Sequence, residues 1–192
     1  MTAGHSRVFV ITGPSGVGKG SLISRLREEL PEIELSVSAT TRAPREGEVE
    51  GVDYHFLEPE EFERRVEAGE FLEHARYSGN RYGTLRSEVE QRIENGHPVV
   101  LEIEVQGARQ IRTTMPEAIQ VFIAPPRFES LRQRLESRGT DGSESIEARL
   151  EVAEQEMKAR SEFPYEVVND DLDSAAEELR AIVGLKLSES GA

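Results

Sequence analysis

The sequence predicts an α/β fold, a parallel sheet covered by helices on both faces. Three observations lead there. Short, continuously apolar runs alternate with stretches of helical periodicity, the pattern of strands buried on both faces. A glycine-rich loop joins the first such run to the first such helix. Two long segments, residues 36–80 and 128–159, interrupt the alternation after strands, where open α/β sheets bind their ligands.

The elements follow in order. Val8–Thr12 is short, apolar and rich in β-branched residues, which makes a buried strand. Leu22, Ile23, Leu26 and Leu30 repeat at helical spacing and predict a helix over residues 18–30. Residues 36–80 read as short strands around a Pro/Gly-containing loop, with one helix near residues 59–68. A helix over 85–94 ends at Asn95-Gly96. Residues 98–105 and 118–124 are two more buried strands, and Pro125-Pro126 breaks the chain. Two charged helices, about 128–137 and 145–159, are split by Gly139-Thr140-Asp141-Gly142. A last strand over 165–169 and a last helix over 174–187 leave residues 188–192 as an expected frayed tail.

Composition bounds the function. The 192 residues suit one domain of ordinary size. Acids outnumber bases 37 to 23, giving a formal net charge of −14. That balance argues against nucleic acid and anionic membranes as partners, so any phosphate ligand needs a local nest of cations and backbone N–H groups. The absence of cysteine excludes disulfides, thiolate metal sites and a cysteine nucleophile. No apolar run approaches the length of a membrane span, and Val8–Ile11 is too brief for a signal peptide. The expected location is the cytoplasm.

The strongest motif is Gly13-Pro14-Ser15-Gly16-Val17-Gly18-Lys19, which matches the phosphate-loop pattern G-x-x-x-x-G-K between a strand and a helix. Glycines let the backbone turn several N–H groups inward, the helix N-terminus adds its dipole, and Lys19 adds a mobile cation. Gly20 stands where Ser or Thr is usual, so Ser21 is the nearest hydroxyl for a metal. The motif predicts a nucleoside triphosphate and does not choose among ATPase, GTPase and kinase.

Farther on, Arg42 and Arg45 lie three apart around Pro44. In an extended segment both guanidiniums reach one anion, but an exposed loop fits the spacing equally. Tyr54, Glu73, Tyr82 and Thr84 are open in the same way: a carboxylate with a neighbouring hydroxyl suits a guanine edge, and it also suits a surface turn. Glu102 and Glu104, two apart in the expected strand, share a face; they suit its carboxyl end beside a ligand cleft, to orient Mg²⁺-bound water or contact nucleotide, and they also suit the solvated face of an edge strand. Arg134 and Arg138, four apart, share a helix face, and Arg149 lies across the Gly139–Gly142 stretch.

Together these stretches identify a resemblance. GPSGVGKGSL, SVSATTRAPREGEVEGVDYHF, GNRYGT, LEIEVQGA and ESRGT resemble guanylate kinases, the bacterial ones most closely, and span Gly13 to about Asn169. The resemblance implies a P-loop kinase fold with an inserted GMP-binding lobe and a helical lid. The core is expected at about 1–35, 85–126 and 161–192, the lobe at about 36–84 and the lid at about 127–160. It implies transfer of phosphate from ATP, with Mg²⁺, to GMP and to dGMP, in purine nucleotide metabolism and GMP recycling.

The residue roles implied by the resemblance are specific. Lys19 and the loop from Gly13 to Ser21, with Asn169, bind ATP. Arg42, Arg45, Tyr54 and Tyr82 hold the GMP phosphate, while Ser38, Glu73 and Thr84 read guanine. Glu102 and Glu104 belong to the GMP side. Arg134, Arg138 and Arg149 close on the transferred phosphate, and Lys19 and Arg42 share in catalysis. Two positions depart from the family pattern: Gly20-Ser21 for Ser-Thr, and Glu104 for the usual Asp. Two rivals remain at this level. One is a guanylate-kinase-like binding module, disfavoured by Lys19 and by a chain that ends with the domain. The other is a kinase for AMP, UMP or thymidylate.

Overall fold

The computed structural model describes residues 7–77, 79–137 and 143–190. Its main sheet has five parallel strands: β1 (Val8–Thr12), β2 (Glu34–Leu35), β7 (Val99–Glu102), β8 (Ile119–Ala124) and β9 (Tyr165–Val168), in the order β2-β7-β1-β8-β9. β1 is central and every residue of it is buried. Phe9 and Ile11 face one side, against Leu22 and Leu26 of α1 (Lys19–Glu29) and Leu179 and Val183 of α7 (Leu172–Ser190). Val8 and Val10 face the other, against Val89 of α3 (Arg86–Glu94) and Ala108 and Ile111 of α4 (Val105–Thr114). A strand covered on both sides has no polar face to show, which is why its sequence is continuously apolar. Each large side chain buried this way contributes roughly 1.5–3 kcal/mol.

Residues between β2 and α3 build a second sheet. It runs β4-β3-β6-β5, from β3 (Ala39–Thr40), β4 (His55–Phe56), β5 (Phe71–Tyr77) and β6 (Asn80–Leu85). Its small core is Ala39, Phe62, Phe71 and Leu85, with Phe62 supplied by α2 (Pro59–Glu67). The Phe62 and Phe71 rings stack at 4.4 Å. The last two helices before β9, α5 (Glu129–Ser137) and α6 (Ser143–Lys158), send Leu131, Leu135, Ile146, Leu150 and Ala153 into the same cluster as β1 and α1. No helix among the described residues is long and apolar enough to cross a membrane.

Three expectations are corrected. The strand expected over 98–105 ends at Glu102, so Glu102 and Glu104 do not share a strand face. Glu104 is instead the N-cap of α4, an element the sequence reading passed over. Its signal was present: Val105, Ala108 and Ile111 recur at intervals of three and are all buried. The tail expected to fray from residue 188 continues α7 to Ser190. The sheet also gains β2 at its edge, two residues too short for a pattern to show.

α4 fixes the second sheet to the first. Gln110 accepts from the His74 amide and donates to the His74 carbonyl, at 3.1 and 2.8 Å. Thr114 donates to the Leu72 carbonyl at 2.8 Å. These bonds grip β5 on either side of Glu73, so the helix sets where that carboxylate sits.

Candidate active site

The loop between β1 and α1 carries positive φ at Gly13, Gly16 and Gly18. Gly18 caps α1 in the left-handed region, and a Cβ there would lie 2.6 Å from Nδ2 of Asn169. Only glycine meets both conditions. α1 starts with no side-chain cap and no acid in its first turn. Its first N–H groups are therefore left for an anion. Lys19 Nζ curls over the loop and donates to the carbonyls of Gly13 and Pro14, at 2.6 and 3.3 Å.

The loop is braced from behind. Asn169, buried at the end of β9, donates to the Val17 carbonyl at 2.7 Å. Arg134 donates to the same carbonyl at 2.8 Å and to the Asn169 carbonyl at 2.7 Å. Arg134 thus grips the loop's backbone in this arrangement. Arg149 comes from α6 and donates twice to Ser15 Oγ, at 2.7 and 3.2 Å. Arg138 lies outside the described residues.

A cleft of about 450 Å³ opens beside the loop, lined by Ser15, Lys19, Arg149, Ser36, Ser38, Asp53, Tyr54, Tyr77, Glu102 and Glu104, with Leu35 and Ile103. It runs into a second cavity of about 270 Å³, which shares Ser38, Tyr54, Tyr77, Glu102, Ile103 and Glu104 and adds Glu73, Ala75, Tyr82, Gly83 and Gly107. A triphosphate loop and a carboxylate-bearing pocket are therefore two ends of one opening. Ser21 lines neither cavity and is exposed on α1. A Cβ on Gly20 would lie 3.8 Å from the Glu102 carboxylate, so the position usually held by a hydroxyl faces an acid here.

Glu73 is 5% exposed. Burial pushes its carboxyl up to about 7; hydrogen bonds from Thr84 oppose this, and the nearby Glu104 adds to it. Thr84 Oγ1 donates to Glu73 Oε1 at 2.7 Å. The other oxygen lies against α4, where a Cβ on Gly107 would come within 2.5 Å of it. That close approach is what a glycine inside a helix permits. Glu104 is also raised by burial, against the opposing charge of Lys19.

At the outer end, Arg42 donates to Glu48 at 2.7 Å and to the Ala43 carbonyl at 2.7 Å. Its guanidinium lies 5.3 Å from the Tyr54 ring centre, and Tyr54 and Tyr82 meet edge-on at 6.1 Å. Arg45 is exposed, and its backbone N–H donates to the other oxygen of Glu48 at 2.7 Å. Many of the expected residues thus line one opening; Arg42 reaches it through Tyr54, while Arg45 and Ser21 line neither cavity.

Three contributors were missed. Glu48 organises Arg42, and its sequence signal is an acid three residues after Arg45. Gly107 makes room for Glu73, and its signal is a glycine within a helix. Glu156, 9% exposed on α6, sits near Lys19 and Glu104. Its signal is an acid on the stripe that includes Leu150 and Ala153.

Comparisons with known proteins show the family. A family model described as guanylate kinase matches residues 5–185. A guanylate kinase of Synechococcus sp. (strain CC9311) is 53% identical over 95% of this chain and 96% of its own. That of Frankia casuarinae is 52% identical over 91% of this chain and 95% of its own. The crystal structure of guanylate kinase from Anaplasma phagocytophilum superposes with a TM-score of 0.74 at 34% identity, covering 93% of this chain and 85% of that one.

Proposed function

The chain belongs to the guanylate kinase family and phosphorylates GMP with ATP, and from that premise we propose how its own residues divide the work. The observation that carries the assignment is the single opening with Lys19 and Arg149 at one end and Glu73 with Thr84 at the other.

ATP binds with its phosphates in the loop from Gly13 to Ser21, with Asn169 bracing that loop. GMP binds with guanine against Glu73, Thr84 and Ser38. The Glu73 carboxylate accepts from two guanine N–H groups, and its phosphate is held by Arg42, Arg45, Tyr54 and Tyr82. dGMP is an expected second acceptor, because base and phosphate are read while the ribose 2′ position is not invoked. An oxygen of the GMP phosphate attacks the γ-phosphorus in line; that new P–O bond forms as the bond to the bridging β–γ oxygen breaks, and ADP leaves. The attacking oxygen is already anionic near neutrality, so no general base is needed. Lys19, Arg149 and Arg138 offset the charge on the transferred group. Arg134 acts through the loop it grips.

The donor set fits a hard cation held mainly by nucleotide. Glu102 and Glu104 offer oxygens in the cleft, and no group of three or more protein ligands gathers among the described residues. Mg²⁺ would be held by ATP phosphates and water beside these carboxylates, where it would neutralise phosphate charge. The proposed moving parts are a core, a GMP lobe at about 36–84 and a lid at about 127–160. Closing them excludes water as a competing acceptor and strengthens every charge contact. The proposed setting is the cytoplasm.

The test is an ADP-release assay with ATP and Mg²⁺, offering GMP, AMP, UMP and thymidylate separately. Strong turnover with GMP alone is expected. Turnover with another acceptor would remove Glu73 as a guanine reader.

A further inference from the structure

Three successive residues of β5 go to three different places. Phe71 joins the small core of the second sheet, Leu72 joins the cluster formed by α4 and the main sheet, and Glu73 lines the cavity. A regular strand cannot do this, because residues two apart share a face. The pairing with β6 explains it. Phe71 is opposite Leu85 and Glu73 is opposite Thr84, so β5 takes two steps where β6 takes one. Leu72 is therefore the extra residue of a β-bulge. Without the bulge, Leu72 would stand across from Thr84, and the 2.7 Å bond from the Thr84 hydroxyl to Glu73 would not form. A bulge breaks the ladder locally and leaves the register to other contacts. β5 is also the last strand of its sheet, so the groups on its outer edge need partners from elsewhere. α4 supplies them. Gln110, about one turn after Gly107, accepts from the His74 N–H at 3.1 Å and donates to the His74 carbonyl at 2.8 Å. A primary amide carries both roles in one group, as the peptides of a neighbouring strand would. Thr114, about one turn further on, donates to the carbonyl of the bulged Leu72 at 2.8 Å. These bonds fall on the residues just before and just after Glu73.

We propose that Gln110, seconded by Thr114, is a positioning residue for base specificity: it locks the bulged register of β5 and so holds the Glu73 carboxylate where it accepts from both the ring N–H and the exocyclic amine of guanine. Neither Gln110 nor Thr114 lines the cavity, so both act through the β5 backbone. The two guanine bonds are not equally informative. Hypoxanthine carries the same ring N–H and lacks the amine. A carboxylate that shifts or turns keeps one bond and loses the other, and with it the distinction between the two bases. This inference rests on the assignment of Glu73 to guanine made above.

The test is steady-state kinetics with ATP and Mg²⁺, offering GMP and IMP as separate acceptors, for the parent, Gln110→Met, Thr114→Val, Glu73→Gln and the double variant Glu73→Gln/Gln110→Met. The readout is the ratio of kcat/KM for GMP to that for IMP. The parent is expected to favour GMP about 10- to 100-fold, the worth of one charge-assisted hydrogen bond. Gln110→Met keeps the length of the side chain and removes both bonds to His74. It should lower the preference about fivefold or more, through KM for GMP, with KM for ATP changed less than about twofold. Thr114→Val keeps the shape, removes one bond and should lower the preference about two- to threefold. In the Glu73→Gln background, adding Gln110→Met should change the preference less than about twofold, because both act on one contact. A general loss of stability lowers turnover with both acceptors alike and leaves their ratio unchanged. A parent-like preference in Gln110→Met would overturn the inference, as would a further fall of about fivefold on top of Glu73→Gln. Should Gln110→Met fail to fold, a parent-like preference in Thr114→Val would overturn it instead. A parent-like preference in Glu73→Gln would overturn the guanine assignment beneath it. A reduced preference in Glu73→Gln beside a normal one in Gln110→Met would overturn the positioning role alone.

Discussion

Glu73 shows how one residue's environment sets its chemistry. Its carboxyl is raised to about 7 by burial, so the free protein holds it partly protonated near neutrality. Guanine needs the ionised form, since a carboxylate accepts where a carboxylic acid also donates. GMP binding near pH 6.5 should therefore release protons from Glu73. Calorimetry in buffers of different ionisation heat should show more release in the parent than in Glu73→Gln, since the phosphate contributes to both. Equal release would remove Glu73 from base recognition. The same substitution should weaken GMP about 10- to 100-fold with ATP binding unchanged, the cost of charge-assisted hydrogen bonds. Lys19→Ala should cut kcat by about two to three orders of magnitude while circular dichroism stays native. Near-normal turnover would take Lys19 out of the transfer step.

α4 carries the argument at the scale of elements. It packs Val105, Ala108 and Ile111 on the main sheet, grips β5 through Gln110 and Thr114, and leaves Gly107 against Glu73. Gly107→Ala separates propensity from function. In a helix the change favours folding by up to about 1 kcal/mol, while the added Cβ would lie 2.5 Å from the Glu73 carboxylate. The expected outcome is a clear rise in KM for GMP, little change in KM for ATP, and no loss of Tm comparable to a core truncation. A parent-like KM for GMP would mean that the carboxylate moves aside without consequence. The sequence carried α4's period of three, but the apolar run before it resembled one longer strand. Where a strand stops and a helix starts within seven residues, periodicity has too few repeats to place the boundary.

The whole molecule pairs an acidic chain with two buried, raised carboxyls, Glu73 and Glu156. Each binds its proton more tightly folded than unfolded. Their contribution to stability is fully present below pH 4.5 and is lost as pH rises through about 6 for Glu156 and about 7 for Glu73. The combined effect is on the order of a few kcal/mol. Melting of the ligand-free protein should show Tm falling between pH 5 and 7.5, and Glu73→Gln should flatten that slope. An unchanged slope would show that Glu73 is not raised by burial.

The sequence by itself determined the fold class, the phosphate loop and the order of most elements. Those features are local: a run of β-branched residues, a helical period and glycines at fixed offsets each act within a few residues of chain. The resemblance added the pairing of Arg42, Glu73 and Thr84 with GMP, which spacing alone left open against a surface turn. Tertiary structure decided what depends on distance across the chain. It put Arg134 on the carbonyls of Val17 and Asn169, turned Ser21 away from the cleft, moved Glu104 from a strand face to a helix cap, and brought Arg149 to Ser15. Residues more than a hundred positions apart meet there because the sheet and its helices pack at fixed spacings, and no local pattern encodes which pairs that packing brings together.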